Sequence, residues 1–233
     1  KYCQTFYPEK LIVQQIDIMI TERCSLKCKD CSNLMQYYVN PKHSDAEQTI
    51  NSIEKFISSV DYVLEFRVLG GEPLMHKEAY KFINYLRKID KKNRICIYTN
   101  GTIIPKYETL KSLKSDDVFV RISDYGSVSK KVNELTKTFS ENGIIFDVLK
   151  FDKWQDCARI EKHNESEEKL ENKFNECCVK NYVTILNDTL YNCPFSANAH
   201  NIGAIPKFDG EYIDLLKEDT ENIRKTLFNM LHW

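Results

Sequence analysis

Three cysteines fall within eight positions, in the segment Cys24-Ser25-Leu26-Lys27-Cys28-Lys29-Asp30-Cys31. Three thiolates at that spacing can wrap one face of a metal centre. A structural zinc site is normally closed by four ligands, and no fourth stands nearby. Three protein ligands leave one position open, as a reactive centre requires. A second group, Cys177, Cys178 and Cys193 with Cys157 upstream, lies in the last third of the chain. The chain has nine cysteines in all, an odd number. Disulfide scaffolds are usually shorter and secreted, so thiolate ligands in a reducing, cytoplasmic setting are the expectation. Cys96 falls inside an apolar run and is expected in the core, and Cys3 carries no assignment.

The elements that position these groups follow from hydrophobic pattern. An apolar run over 15–20 reads as a buried strand leading straight into the cysteine segment. Ser44, with Glu47 three residues later, reads as a capping box opening a helix. A second strand over 62–69 ends in Gly70-Gly71-Glu72-Pro73, and a helix follows over 76–88. A third strand, 94–98, ends in Thr99-Asn100-Gly101, with a helix from Pro105, a residue suited to a first helical turn. A fourth, 118–122, ends in Ser123-Asp124-Tyr125-Gly126, with a helix over 129–142, and a fifth strand covers 144–149. Such alternation predicts a parallel sheet with helices on its outer face. Ligands of these folds sit at the carboxyl ends of the strands, where each marked motif falls. After residue 151 the rhythm changes. A charged helix within 152–176, a hairpin around Asn187-Asp188 and a last helix over 212–230 make a small C-terminal α+β module, so the expected division is 1–151 and 152–233.

A hydrophobic content of 42% suffices for a core, and a net charge of −1 gives no bulk attraction to nucleic acid or an anionic membrane. No apolar run nears the roughly 20 residues needed to span a bilayer. Neither a phosphate-cradling Gly-rich loop of the Walker type nor a nucleophile–His–acid triad stands out.

The Cys-x3-Cys-x2-Cys loop after a first strand, followed by Gly-Gly-Glu-Pro after the second, resembles the radical S-adenosylmethionine superfamily over roughly residues 14–150. The resemblance implies an α/β fold, a partial (β/α)6 TIM-like barrel. It implies a [4Fe–4S] cluster on Cys24, Cys28 and Cys31, with the methionine groups of S-adenosylmethionine on the fourth iron. One-electron cleavage would then give a 5′-deoxyadenosyl radical that takes hydrogen from a substrate. Gly70, Gly71, Glu72 and Pro73 match the motif that binds the methionine amino group, with Glu72 as partner for the ammonium. Thr99, Asn100, Ser123 and Asp124 resemble later strand-end contacts to the same ligand. Asp30 departs from the pattern, because the residue before the third cysteine is commonly aromatic and packs near the adenine. Asn192-Cys193-Pro194 after the hairpin resembles the SPASM or twitch module, which carries an auxiliary cluster. Cys177, Cys178 and Cys193 are its candidate ligands, with Cys157 as a fourth.

The expected activity is a radical oxidoreductase or epimerase acting on a small molecule such as a sugar, nucleotide sugar or aminocyclitol, supplied with electrons by a flavodoxin or ferredoxin. The dozen or so residues before the first strand are expected to leave no room for a peptide-recognition domain. In epimerisation a thiol would return the hydrogen, and Cys157, Cys177 and Cys178 are candidates, Cys157 and Cys178 foremost, a role exclusive with cluster ligation. The alternatives are a peptide- or protein-modifying radical enzyme and a non-catalytic zinc module. His76, Tyr37, Tyr38, Tyr125 and Trp154 are further residues expected near the mouth of the site.

Overall fold

The structure is a computed structural model that describes residues 9–151, 153, 160–180 and 182–231. Cys3, Trp154 and Cys157 therefore lie outside the described residues. Five strands alternate with four helices: β1 (Ile12–Thr21), α1 (Ala46–Ser59), β2 (Tyr62–Gly70), α2 (Ala79–Arg87), β3 (Lys92–Thr99), α3 (Tyr107–Leu113), β4 (Val118–Asp124), α4 (Val132–Glu141) and β5 (Phe146–Lys150). The C-terminal part adds α5 (Glu167–Glu176), β6 (Tyr182–Leu186), β7 (Thr189–Tyr191), α6 (Pro194–Asn201), β8 (Tyr212–Asp214) and α7 (Thr220–Leu231).

All eight strands form one open sheet in the order β5-β4-β3-β2-β1-β6-β7-β8. β1 to β5 pair in parallel, as the alternation predicts. The sixth parallel strand, β6, pairs with β1 rather than with β5, so the sheet does not close into a barrel. β7 and β8 continue it antiparallel. The C-terminal segment thus extends the sheet of the first 151 residues.

One face of each strand is apolar. Ile16, Ile18 and Ile20 of β1, Phe66 and Val68 of β2, Ile95 and Ile97 of β3, and Val118, Val120 and Ile122 of β4 are buried in a single cluster. Phe56 of α1, Phe82 of α2, Phe139 of α4 and Leu227 of α7 close it from the helix side. Arg224 of α7 fixes that layer: its guanidinium donates to Ser59 O at 3.2 Å and to Asp61 Oδ2 at 2.7 Å, and Asp61 Oδ2 also accepts from Leu11 N. The opposite, inner face carries polar side chains in its middle. Near the strand ends it holds a small cluster of Met19, Met35, Leu69, Leu186, Tyr191 and Ala197.

Two local expectations change, and one helix is added. Asp45, not Ser44, caps α1, accepting from Gln48 N at 2.9 Å, while Ser44 Oγ donates to Met19 O. The helix expected over 212–230 divides into β8 and α7. Ile213 pairs with Leu190 in the sheet, and Asp214 Oδ1 accepts from Leu216 N and Lys217 N to turn the chain. The segment after the hairpin is the helix α6, with Pro194 in its first turn and Cys193 as its cap, Sγ accepting from Ser196 N at 3.3 Å.

Candidate active site

The cysteine loop leaves the end of β1 and is gripped by backbone. Gly71 N donates to Thr21 O and Glu72 N to Arg23 O, both at 2.8 Å, so the end of β2 continues as a short ladder beside the residues leading to Cys24. That closeness requires glycine. A Cβ on Gly70, where φ is +144°, would stand 2.2 Å from Thr21 O, and one on Gly71 would stand 2.2 Å from Arg23 O and 2.9 Å from the Cβ of Cys24. The two glycines admit the cluster loop itself to the strand end. Asn33 then donates to Gly70 O at 2.7 Å and ties the far side of the loop to the same strand end.

Glu72 is wholly buried. Its Oε1 accepts from Leu74 N at 3.0 Å and Thr99 Oγ1 at 2.9 Å, and its Oε2 accepts from Asn100 N at 2.7 Å. One carboxylate thus joins the ends of β2 and β3. Burial pushes its pKa up to about 7, against the pull of these three donors. In Glu72→Gln the new NH2 faces Leu74 N–H or Asn100 N–H whichever way the amide turns. Urea unfolding at pH 8 should show a loss of about 1–3 kcal/mol, the cost of a buried donor left without an acceptor. An unchanged midpoint would remove the strand-joining role.

Cys24, Cys28 and Cys31 are free, half-buried thiols in this loop. Burial is the main cause that pushes the Cys24 thiol up to about 11; Glu72, Cys31 and Cys28 push the same way, against the Leu26 N–H. Burial and then Cys31 raise Cys28 as well. The thiols are close enough to disfavour each other's ionisation, and their grouping calls for a cationic centre. Among the described residues no three His, Cys, Asp or Glu side chains converge as a single ion requires. A cluster asks less, since it takes each thiolate on its own iron. The donor set, the enclosure and the loop gripped at both ends fit a [4Fe–4S] cluster held by three cysteines.

The other strand ends close around this loop. Asn100 Nδ2 lies 3.5 Å from Cys24 Sγ and donates to Ser25 Oγ at 3.1 Å, and Ser25 meets Thr102 Oγ1. Ser129, which belongs to no motif in the sequence, is buried and donates to Asn100 O at 2.7 Å while accepting from Tyr125 N. Asp124 Oδ1 accepts from Gly126 N and shapes that turn. Burial chiefly raises the Tyr125 hydroxyl, against a hydrogen bond with Ser123, and all three loop cysteines add to the rise. Its ring packs on Phe151 at 5.4 Å. Asn33, Ser25, Thr102 and Ser129 carry no sequence signal, being small polar residues in loops.

Tyr38 also belongs here. Its hydroxyl donates to Asn198 Oδ1 at 2.7 Å and accepts from Asn201 Nδ2 at 2.9 Å, fastening the segment after the cysteines to α6. Tyr37 is exposed. His76 turns away from the site: its Nδ1 accepts from Glu78 N, its Nε2 meets Ser44 O, and its ring packs against His43 and Phe82. Asp30 is half-exposed, and Cys96 is buried as expected. In the second cysteine group, Cys177 and Cys193 are half-buried and Cys178 is exposed; burial chiefly raises the Cys193 thiol, with Cys177 adding to it.

The protein-family model of the Radical SAM superfamily matches residues 18–139, just over half of the chain. Among curated proteins the chain is similar to GTP 3',8-cyclase of Clostridium acetobutylicum, 28% identical over 134 residues, 52% of this chain and 42% of that protein. It is also similar to the GTP 3',8-cyclase of Petrotoga mobilis, 32% identical over 103 residues, 41% of this chain and 29% of that one. The matched region spans less than half the length of these relatives. Among solved structures it is similar to BtrN in complex with AdoMet and 2-DOIA, with a TM-score of 0.57 at 18% identity, covering 92% of this chain and 87% of that one. Native anSMEcpe with bound AdoMet gives 0.60 at 15% identity, with 94% and 82% covered. At these identities the likeness to both structures is one of fold.

Proposed function

The chain belongs to the Radical SAM superfamily, and from that premise we propose that it cleaves S-adenosylmethionine reductively and removes hydrogen from a small-molecule substrate lying on the inner face of the sheet. The observation that carries this reading is the backbone ladder from Gly71 and Glu72 to Thr21 and Arg23, which brings the second motif against Cys24. Cys24, Cys28 and Cys31 would hold the cluster. When bound, a [4Fe–4S] cluster supplies the electron that splits the carbon–sulfur bond of S-adenosylmethionine and yields a carbon radical.

The chain's own groups do the rest. Gly70, Gly71, Glu72 and Pro73 form one wall for the methionine end of the ligand, with the Glu72 charge behind it favouring an ammonium. Thr99, Asn100, Ser123 and Asp124 form the facing wall. Asn100 Nδ2 is placed to donate to the Cys24 thiolate. Tyr125, packed on Phe151 at the end of β4, would line the mouth of the site. Cys177 and Cys193, with exposed Cys178 and with Cys157, are the proposed ligands of an auxiliary cluster that would take the second electron of an oxidation. Cys178 or Cys157 would serve instead as hydrogen donor in an epimerisation. A sugar, nucleotide sugar or aminocyclitol is the proposed substrate class, and a flavodoxin or ferredoxin the proposed electron source. Among the described residues no helix is long and apolar enough to cross a membrane.

A second reading is ring closure on a nucleotide, which the GTP 3',8-cyclase relatives support. Anaerobic reconstitution tests the shared premise. The protein should take up iron and sulfide and, with dithionite, convert S-adenosylmethionine to 5′-deoxyadenosine and methionine. Iron-loaded protein that forms no 5′-deoxyadenosine would sink it. About eight irons per chain support the auxiliary cluster, and about four count against it. Incubation with GTP and detection of a cyclised product separates the second reading from the first.

A further inference from the structure

The inner face of the sheet carries charge where a closed parallel barrel would carry packed apolar side chains. Three ion pairs span neighbouring strands there: Glu65 with Arg94, Asp17 with Arg67, and Asp147 with Arg121. The Asp17–Arg67 pair is the most deeply buried of the three. An ion pair taken out of water adds little to stability, because desolvation offsets its attraction, so this one needs a reason other than folding.

Arg67 differs from the other two. Its guanidinium is clamped between two rings, 4.7 Å from the centroid of Tyr98 and 5.0 Å from that of Tyr182. Asp17 holds it from behind, Oδ1 lying 3.2 Å from Nε. Among the described residues, nothing accepts from its two terminal nitrogens. Arg121, by contrast, spends all three of its nitrogens on Asp147 and the Tyr98 hydroxyl, and Arg94 gives its Nε to Glu65 from a side chain half-exposed to solvent. Asp17 is almost fully buried, and among the described residues neither of its oxygens has a hydrogen-bond donor, its contact with Arg67 Nε being an ion pair without hydrogen-bond geometry; the Thr184 hydroxyl, at the same level on β6, is buried and unpaired among them too. A buried polar group without a partner is costly, and this concentration marks a level built to be completed by something else. The position is also apt. Tyr98 of β3 precedes Asn100, the residue just past that strand which reaches Cys24, by two places, so the clamp lies about 7 Å below that contact.

We propose that Arg67 is the substrate's anchor: its terminal nitrogens, fixed by Asp17 and the Tyr98–Tyr182 clamp, bind an oxyanion of the substrate, a phosphate or a carboxylate, and so hold the reacting carbon beneath the cofactor. This rests on the reading of the site as a radical one, and it narrows the substrate to an anionic small molecule. A planar guanidinium whose two terminal nitrogens meet no acceptor among the described residues suits bidentate binding of either group.

The test uses reconstituted full-length protein. Calorimetric titration with inorganic phosphate and with citrate should show saturable binding of at least one by the wild type. Preference for phosphate assigns a phosphorylated substrate, and preference for citrate a carboxylated one. Arg67→Gln should weaken that binding at least tenfold, with Arg67→Lys between the two. Substrate-free cleavage of S-adenosylmethionine should stay within about twofold of wild type in both variants, which shows that they are folded and loaded. Wild-type protein that binds neither anion, or Arg67→Gln that binds as wild type does, overturns the proposal. If neither wild type nor variants cleave S-adenosylmethionine, the radical reading fails, whatever the anion titrations show.

Discussion

Cys24→Ala protein, reconstituted anaerobically, should lose its iron–sulfur absorbance and fall to the no-protein background in 5′-deoxyadenosine formation. Three thiolates are the fewest protein ligands that leave a [4Fe–4S] cluster both held and open, so removing one leaves two and no enclosed site. Cys24 is the member with the most at stake. It is joined to the end of β1, its Cβ is the atom that a side chain on Gly71 would strike, and its Sγ takes the Leu26 N–H at 3.4 Å with Asn100 Nδ2 at 3.5 Å. Those donors persist in the variant, so the fold should survive and circular dichroism should match wild type. Cys96→Ala is the control. Cys96 is a buried β3 residue, its thiol pushed up to about 12 chiefly by burial, and its loss should leave iron and cleavage intact. Cys24→Ala protein that retains both iron and turnover would overturn the assignment of the cluster.

Much of this is legible in the sequence alone. Strands β1 to β4 announce themselves because one face of each meets helices and is apolar at every second position, as in Ile16, Ile18 and Ile20. The motif residues are legible because each lies in the last positions of a strand or just past it, where a parallel sheet exposes its carboxyl ends. What escapes depends on distant partners. β6 joins β1 across more than 160 residues of chain, and no local pattern encodes that choice. α6 contains Asn198, His200 and Asn201, which give no clean apolar stripe; it is settled by Ala197 packing near Met19 and Leu69 and by Tyr38 reaching Asn198. Tyr212 and Ile213 suit a helix or a strand equally, and only β7 decides between them. The charge of Glu72 is plain in the sequence, but the three donors that surround it belong to residues brought together by the fold. The polar inner face is hidden in the same way, because Asp17, Arg67 and Arg121 are far apart in sequence and form one surface only when the strands come into register.

Gly71→Ala should be nearly as damaging as loss of a ligand, although Gly71 offers a cluster no side chain at all. Its backbone does not lie in the left-handed region, so alanine meets no conformational penalty there, and the whole effect is contact. The added methyl would stand 2.2 Å from Arg23 O and 2.9 Å from the Cβ of Cys24, both on the chain that carries the cluster loop. Relief requires the two strand ends to part, which breaks the bonds from Gly71 N to Thr21 O and from Glu72 N to Arg23 O. Two hydrogen bonds lost at the strand ends correspond to about 1–3 kcal/mol, a sizeable share of a domain's total stability. The expected result is a clearly lowered thermal midpoint, with iron lost on gel filtration and 5′-deoxyadenosine formation reduced in proportion. Gly126→Ala isolates the other kind of glycine effect. Gly126 has φ +67°, and a methyl group added there would meet nothing within 4 Å, so alanine should cost only the left-handed strain of about 1–2 kcal/mol and leave iron and cleavage in place. Wild-type iron retention and turnover in Gly71→Ala would mean that the contact between the end of β2 and the cysteine loop does not hold the site together, and the radical reading would lose the observation that carries it.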